Sequence, residues 1–313
     1  MRKLLHILFV TALVLFSALQ IHSQQDYLAS QYNFNSLMLN PAYAGAHPYL
    51  QTSTMYRNQW KVEGAPTTQI ICADGRLKKV PIGLGFTFTS DKIGIVRERV
   101  ISLDASYHFR TGWGKFSFGL RAGHVGYFAA LDELVYWDED DPIYNNGNIK
   151  EGFLTLGFGA FASSNSGKWF GGISIPEHYA RDHTLRSAPE TRFYKRHIYL
   201  YGGGVLTFNN LELKPSVLIR HMETNPMLMD MNLHVSVVDK ESKGLQVWLG
   251  AGVRTNQSFL VSCEANLPNN LRVGYSFDVA GKGLYQNLGA THEIQIGFNF
   301  GGSTTVIQSP RYF

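Results

Sequence analysis

The sequence predicts an all-β outer-membrane protein: a transmembrane antiparallel barrel of about fourteen strands, with short periplasmic turns and longer extracellular loops. Three observations predict it. Segments of about ten residues alternate apolar with small or polar side chains. Beyond the N-terminus no apolar run is long enough to cross a bilayer as a helix. The connections between segments are brief and long in turn.

The chain begins with Arg2 and Lys3, an apolar stretch from Leu4 to Leu19, and a polar run from Gln20 to Gln25. A basic start, a short apolar region and a small Ser23 are the pattern of a secretory signal peptide over residues 1–23. An exported chain without a spanning helix either stays in solution or enters a membrane as a closed barrel.

The alternation favours the barrel. Between Pro81 and Ser90, Ile82, Leu84, Phe86 and Phe88 share one face while Gly83, Gly85, Thr87 and Thr89 share the other. Ile101, Leu103, Ala105, Tyr107 and Phe109 alternate likewise with Ser102, Asp104, Ser106 and His108. Ile294, Ile296, Phe298 and Phe300 do so with Gln295, Gly297 and Asn299. Such runs fall near 49–60, 67–77, 81–90, 97–110, 114–127, 152–164, 167–175, 196–208, 211–222, 229–238, 245–254, 258–267, 270–280 and 290–300. An even number suits a closed bacterial barrel.

Thr111–Trp113, Asn165–Ser166, Asn209–Asn210 and Asp239–Gly244 read as turns, whereas 128–151, 176–195 and 281–289 are long. This places the long loops outside the cell and both termini in the periplasm. The barrel is then residues 49–300, preceded by a periplasmic segment 24–48 and followed by a tail 301–313. Tyr49, Trp60, Tyr127, Trp169 and Phe208 near strand ends suit interfacial girdles.

Composition agrees. Charged residues are 17%, aromatics 13% and glycines 31 of 313, which disfavours disorder and long charged helices. The net charge of +4 is spread along the chain without basic blocks, which argues against a nucleic-acid partner.

After the signal peptide come Gln31-Tyr32-Asn33, Asn40-Pro41-Ala42-Tyr43-Ala44-Gly45, Arg57-Asn58-Gln59-Trp60 and Gly64-Ala65-Pro66-Thr67-Thr68. Ser117–Gly123, Leu213–Ser216, Gly274–Asp278 and His292–Ile294 follow in the same style. This order resembles the PorP/SprF family of type IX secretion system outer-membrane proteins, and the Asn-Pro-Ala-Tyr-Ala-Gly string is its specific part. The resemblance implies a barrel working with other type IX components of the periplasm and envelope. It also implies export or surface attachment of a large secreted, adhesin-type cargo, linked to gliding in some members.

Physically, Pro41 fixes its own φ and biases Asn40 toward extended backbone, while Gly45 can take a positive φ. Residues 24–48 are therefore expected either to dock in or under the barrel and present a surface to partners, or merely to cap it. Asn40 to Gly45, Arg57, Gln59, Trp60, Gly64 and Pro66 are the candidate docking residues.

Alternation also turns Asp104, Arg121, Glu212, Lys214, Arg220, Asp230, Arg254, Glu264, Arg272 and Asp278 inward. Mixed signs suggest a pairing network rather than a strongly ion-selective pore. Gly157, Gly159, Gly250 and Gly252 share the inward face and suit strand bending or room for a plug. A passive or gated solute channel is the alternative function.

No enzyme is expected, since no G-x-S-x-G elbow occurs. Gly157–Ala162 fits a loose dinucleotide pattern but opens no helix. No cofactor or metal is expected: Trp137–Asp141 lacks calcium-loop spacing, and His178, Asp182 and His183 fix no third ligand. Cys72 and Cys263 lie four strands apart around the barrel, too far for a disulfide.

Overall fold

The computed structural model describes residues 29–133, 148–182, 197–222, 225–237, 245–255, 258–280 and 289–301. Residues 1–23, expected to be a signal peptide, the Trp137–Asp141 cluster, His183 and the residues beyond Gly301 lie outside the described residues.

The strands are β1 (Leu50–Gln59), β2 (Thr67–Arg76), β3 (Ile82–Ile93), β4 (Val96–Arg110), β5 (Gly114–Ala129), β6 (Ile149–Ser164) and β7 (Trp169–Asp182). They continue with β8 (His197–Gly204, resumed at Leu206–Phe208), β9 (Leu211–Met222), β10 (Asn225–Val237), β11 (Gln246–Arg254), β12 (Ser258–Asn266), β13 (Leu271–Ala280) and β14 (Thr291–Phe300). Each pairs antiparallel with its sequence neighbours, and β14 pairs with β1 from Leu50↔Phe300 to Gln59↔Thr291, closing a fourteen-stranded barrel. Closure leaves no free edge, which a sheet in hydrocarbon requires.

The barrel is apolar outside and polar inside. Leu103 and Leu120 are 63% and 68% exposed, whereas Asp104 and Arg121, their neighbours in sequence, are 3% and 5% exposed. Leu84, Phe118, Phe259 and Ile294 repeat the outward position on their own strands. Among the described residues no helix is long and apolar enough to span a membrane; the strands do the crossing.

The expected strand runs all form, but several limits shift. β5 and β6 are each 16 residues long, more than the ~9–11 a bilayer needs, so this hairpin projects beyond it. The connections there shrink to 130–148 and 183–196, shorter than the expected 128–151 and 176–195. β7 carries His178 and Asp182, which sequence spacing had put in a loop. β7 bulges opposite Gly157: Leu156 and Phe158 are two residues apart, but their partners Tyr179 and Ile175 are four apart, so the extra residues lie within Pro176–His178. A Cβ at Gly157 would fall on the Pro176 backbone.

β8 is interrupted at Val205, whose N–H donates instead to the carbonyl of Lys168 at 2.8 Å. Across the gap stands Pro215, which has no N–H to give the ladder. The connections 130–148, 183–196 and 281–290 share one end of the barrel, and the 77–81, 111–113, 165–168 and 209–210 turns share the other. Outer-membrane barrels keep their short turns on the periplasmic side, which is the expected orientation for this end.

Candidate functional site: an N-terminal plug inside the barrel

Residues 29–46 lie in the lumen as three short 3₁₀ turns, Tyr32–Phe34, Ser36–Met38 and Pro41–Tyr43. Tyr32, Phe34, Leu37, Leu39, Ala42, Tyr43 and Ala44 are buried there. A segment with so little regular structure has many backbone groups to satisfy, and burial is tolerated only if partners are supplied. The barrel wall supplies them.

Its carbonyls are met in sequence. Arg121 Nη2 donates to Leu37 O at 2.6 Å, Ser174 Oγ to Leu39 O at 2.6 Å and Ser117 Oγ to Ala42 O at 2.6 Å. Ser106 Oγ donates to Ala44 O at 2.6 Å, and Arg76 Nε to Gly45 O at 2.8 Å. Gly45 N–H in turn donates to Asp74 Oδ2 at 2.9 Å.

Strand register explains why the segment fits. Arg76 pairs with Gly83, Gly83 with Ser106, Ser106 with Gly119, Gly119 with Gly159 and Gly159 with Ser174. These residues form one row across β2–β7, perpendicular to the strands. The three glycines and two serines make it a trough, and Leu39–Gly45 lies along it. A Cβ at Gly83 would fall on Ala44 O, one at Gly119 on the Pro41–Ala42 backbone, and one at Gly159 on Asn40 Oδ1.

The hexapeptide is thereby explained residue by residue. Asn40 has the extended backbone expected before proline (φ −144°, ψ 116°), and its Oδ1 caps the Pro41–Tyr43 turn by accepting from Ala42 N at 2.9 Å. Its Nδ2 reaches the wall at Ala160 O, 2.9 Å away. Pro41 occupies the first position of the turn, where no N–H is needed. Ala42 and Ala44 are small because they lie flush on the trough. Tyr43 meets the Phe161 ring edge-on at 5.7 Å between centroids. Gly45 takes φ +65°, which favours glycine, and bends the chain toward Asp74.

The start of the plug is held by charge. Arg57 pairs with Glu293 at 3.1 Å and with Asp278 at 3.4 Å, and also donates to Ser30 Oγ. Ser30 N–H donates to Glu293 Oε2 at 2.8 Å and Ser30 Oγ to Asp278 Oδ2 at 2.5 Å. Asp278 continues to Arg254 at 3.6 Å, Arg254 to Asp230 at 2.7 Å and Asp230 to Arg220 at 3.6 Å. Asp104 and Arg121 form a separate pair at 2.7 Å.

Two predicted lumen cations meet rings: Arg272 lies 4.5 Å from the centre of Phe34, and Lys214 lies 3.4 Å from that of Trp248. Glu212 accepts from Gln246 at 3.0 Å, and Glu264 is half-buried on the same wall. Tyr32 donates to Ser216 at 3.2 Å, and burial pushes its phenol up to about 12, so it stays a neutral donor.

The structure divides the candidate docking residues. Asn40 to Gly45 and Arg57 are inside the lumen, and Asn40, Ala42 and Ala44 are fully covered. Gln59 ends β1, and Trp60, Gly64 and Pro66 lie in the β1–β2 connection at the long-loop end, where Gly64 O accepts from Gly94 N at 2.9 Å. Of the inward glycines, Gly159 makes room for the plug, while Gly250 and Gly252 accommodate His234, Ser262 and Asn232 of the wall. Sequence reasoning missed Glu293, Asp74, Arg76 and the inward serines. Their signal was the recurrence of Gly and Ser at inward positions. Both cysteines are free.

The profile of the type IX secretion system membrane protein PorP/SprF family matches residues 21–298, which includes the whole plug and nearly all of the barrel. The chain belongs to that family. No curated protein matches it. Among solved structures, a Pseudomonas aeruginosa FadL homologue has TM-score 0.47 at 11% identity, covering 86% of this chain and 94% of that one. An Acinetobacter baumannii outer membrane protein has TM-score 0.46 at 8% identity, covering 82% and 100%. The Pseudomonas putida toluene transporter TodX has TM-score 0.45 at 7% identity, covering 87% and 93%. Membership of the PorP/SprF family and the closed barrel together locate this protein in the outer membrane.

Proposed function

We propose that this PorP/SprF protein is a plugged, non-enzymatic scaffold of the type IX route, supporting export or surface attachment of a large adhesin-type cargo, with gliding as one outcome. The observation that carries the scaffold reading is the occupied lumen. The plug is fixed by side chains of β1, β2, β4–β7, β9, β13 and β14, so the interior is spent on holding the chain's own segment. A passive solute pore would have little use for a trough shaped to that segment.

The decisive experiment is quantitative proteomics of medium and cell surface in a clean deletion strain with complementation. Loss of one or a few large exported proteins, restored on complementation, is expected. An unchanged exported set with reduced small-solute uptake would instead favour the channel. Purified barrel in planar bilayers is expected to show little steady small-ion conductance.

A further inference from the structure

Three neighbouring hairpin ends of the short-turn rim, residues 76–83, 106–117 and 161–170, contain Arg76, Lys78, Lys79, Arg110, Lys115 and Lys168 but no aspartate or glutamate. Their pairing concentrates the charge. Arg110 stands directly across from Lys115, an arrangement that destabilises a sheet unless an anion is near. Arg76 Nη2 lies 3.0 Å from His108 Nδ1, and His108 shares its strand face with Arg110. Lys78, Lys79 and Lys168 are exposed in adjoining turns. Among the described residues no carboxylate pairs with Arg110, Lys115, Lys78, Lys79 or Lys168. The opposite end is mixed, with Glu63, Glu98, Asp132 and Glu133 among its bases.

Direction separates two anionic occupants. Lipid headgroups lie against the outward face, but Arg110 and Lys115 follow the inward alternation of His108 and Ser117. They therefore face the mouth, beside the place where Gly45 leaves the trough and the chain turns toward β1. We propose that this sector of the periplasmic rim, β2 to β7, docks an acidic, Asp/Glu-rich segment of a soluble periplasmic protein. The proposal extends the secretion reading by giving the partner a chemistry. Complementary potentials of this kind set encounter and specificity.

The test uses the intact barrel in zwitterionic nanodiscs and a Glu-rich peptide, with its Gln-substituted twin as blank. Replacing Lys78, Lys79, Arg110 and Lys115 by Gln is expected to weaken peptide binding ~tenfold or more, and raised salt to weaken the unmodified barrel similarly. Replacing Lys61, Lys92, Arg97 and Arg99 by Gln, at the other end, should leave affinity within ~twofold. Lys78→Gln with Lys79→Gln alone, outside the ladder and harmless to folding, should cost ~threefold. Unchanged affinity in the rim variants would overturn the proposal. So would loss of anionic-lipid binding alone, which would assign the rim to headgroups. Peptide binding by a barrel whose deletion leaves export intact would sink the secretion reading and spare this one.

Discussion

Along β2–β7 the plug meets glycine and serine, and its backbone rests on the wall within hydrogen-bond reach. Along β13, β14 and β1 the same segment meets Arg57, Asp278 and Glu293. The first wall recognises shape: with no Cβ at Gly83, Gly119 or Gly159 it admits a main chain, whose carbonyls it meets with the hydroxyls of Ser106, Ser117 and Ser174 and with Arg121 and Arg76. The second recognises polarity, since buried carboxylates accept from Ser30 and Gln31 while Arg57 neutralises them. The shape-selective wall should thus respond to added volume and the charged wall to an unpaired charge. The plug has two anchors of different chemistry.

The largest effect should come from the charged wall. Arg57→Ala leaves Asp278 and Glu293 buried without their shared cation, a loss of about 3–5 kcal/mol, measurable by denaturant unfolding of the barrel in lipid. Adding Asp278→Asn and Glu293→Gln should recover most of it, because the stranded charges are then gone. If recovery fails, Arg57 acts through packing rather than pairing.

Next is the trough. Gly119→Val drives a side chain into the Pro41–Ala42 backbone, which has the wall behind it, and overpacking of this kind costs about 1–3 kcal/mol. A cysteine introduced at Ala46 should then react faster with a water-soluble maleimide, while one at Ala29, beside the charged wall, should not. Equal acceleration at both would mean that the plug leaves as one unit and that the two anchors are not independent.

Asn40→Ala removes the cap of the Pro41–Tyr43 turn, a loss of about 0.5–2 kcal/mol, and strands the wall contact at Ala160. The same Ala46 cysteine should report it, less strongly. Smallest is Ser117→Ala, which deletes one hydroxyl donor to Ala42 O and should cost about 1 kcal/mol. A loss as large as that of Gly119→Val would show that hydrogen bonding, rather than volume, dominates this wall.

Much of the barrel was legible in sequence because the pleat sends successive side chains to opposite faces. That periodicity identified Asp104, Arg121, Arg254 and Asp278 as inward without knowledge of any partner. The limits of β7 were less legible. The bulge at Pro176–His178, opposite Gly157, interrupts the pairing of β7 with β6, and a bulge is a property of two strands rather than of one. Arg57 stood out as part of a motif, but not as a partner of Glu293, which lies at the far end of the chain and meets it only through the β1–β14 closure.

The sequence by itself determined the strands, which face of each meets lipid, and the turn-forming character of Asn40–Gly45. All of these depend on residues near one another in the chain. Only the tertiary structure decided that this hexapeptide lies inside the lumen rather than below it. The trough exists because Arg76, Gly83, Ser106, Gly119, Gly159 and Ser174 fall into one row, and that alignment is set by inter-strand register. A one-residue slip in any hairpin would turn that strand's glycine or serine outward to the lipid.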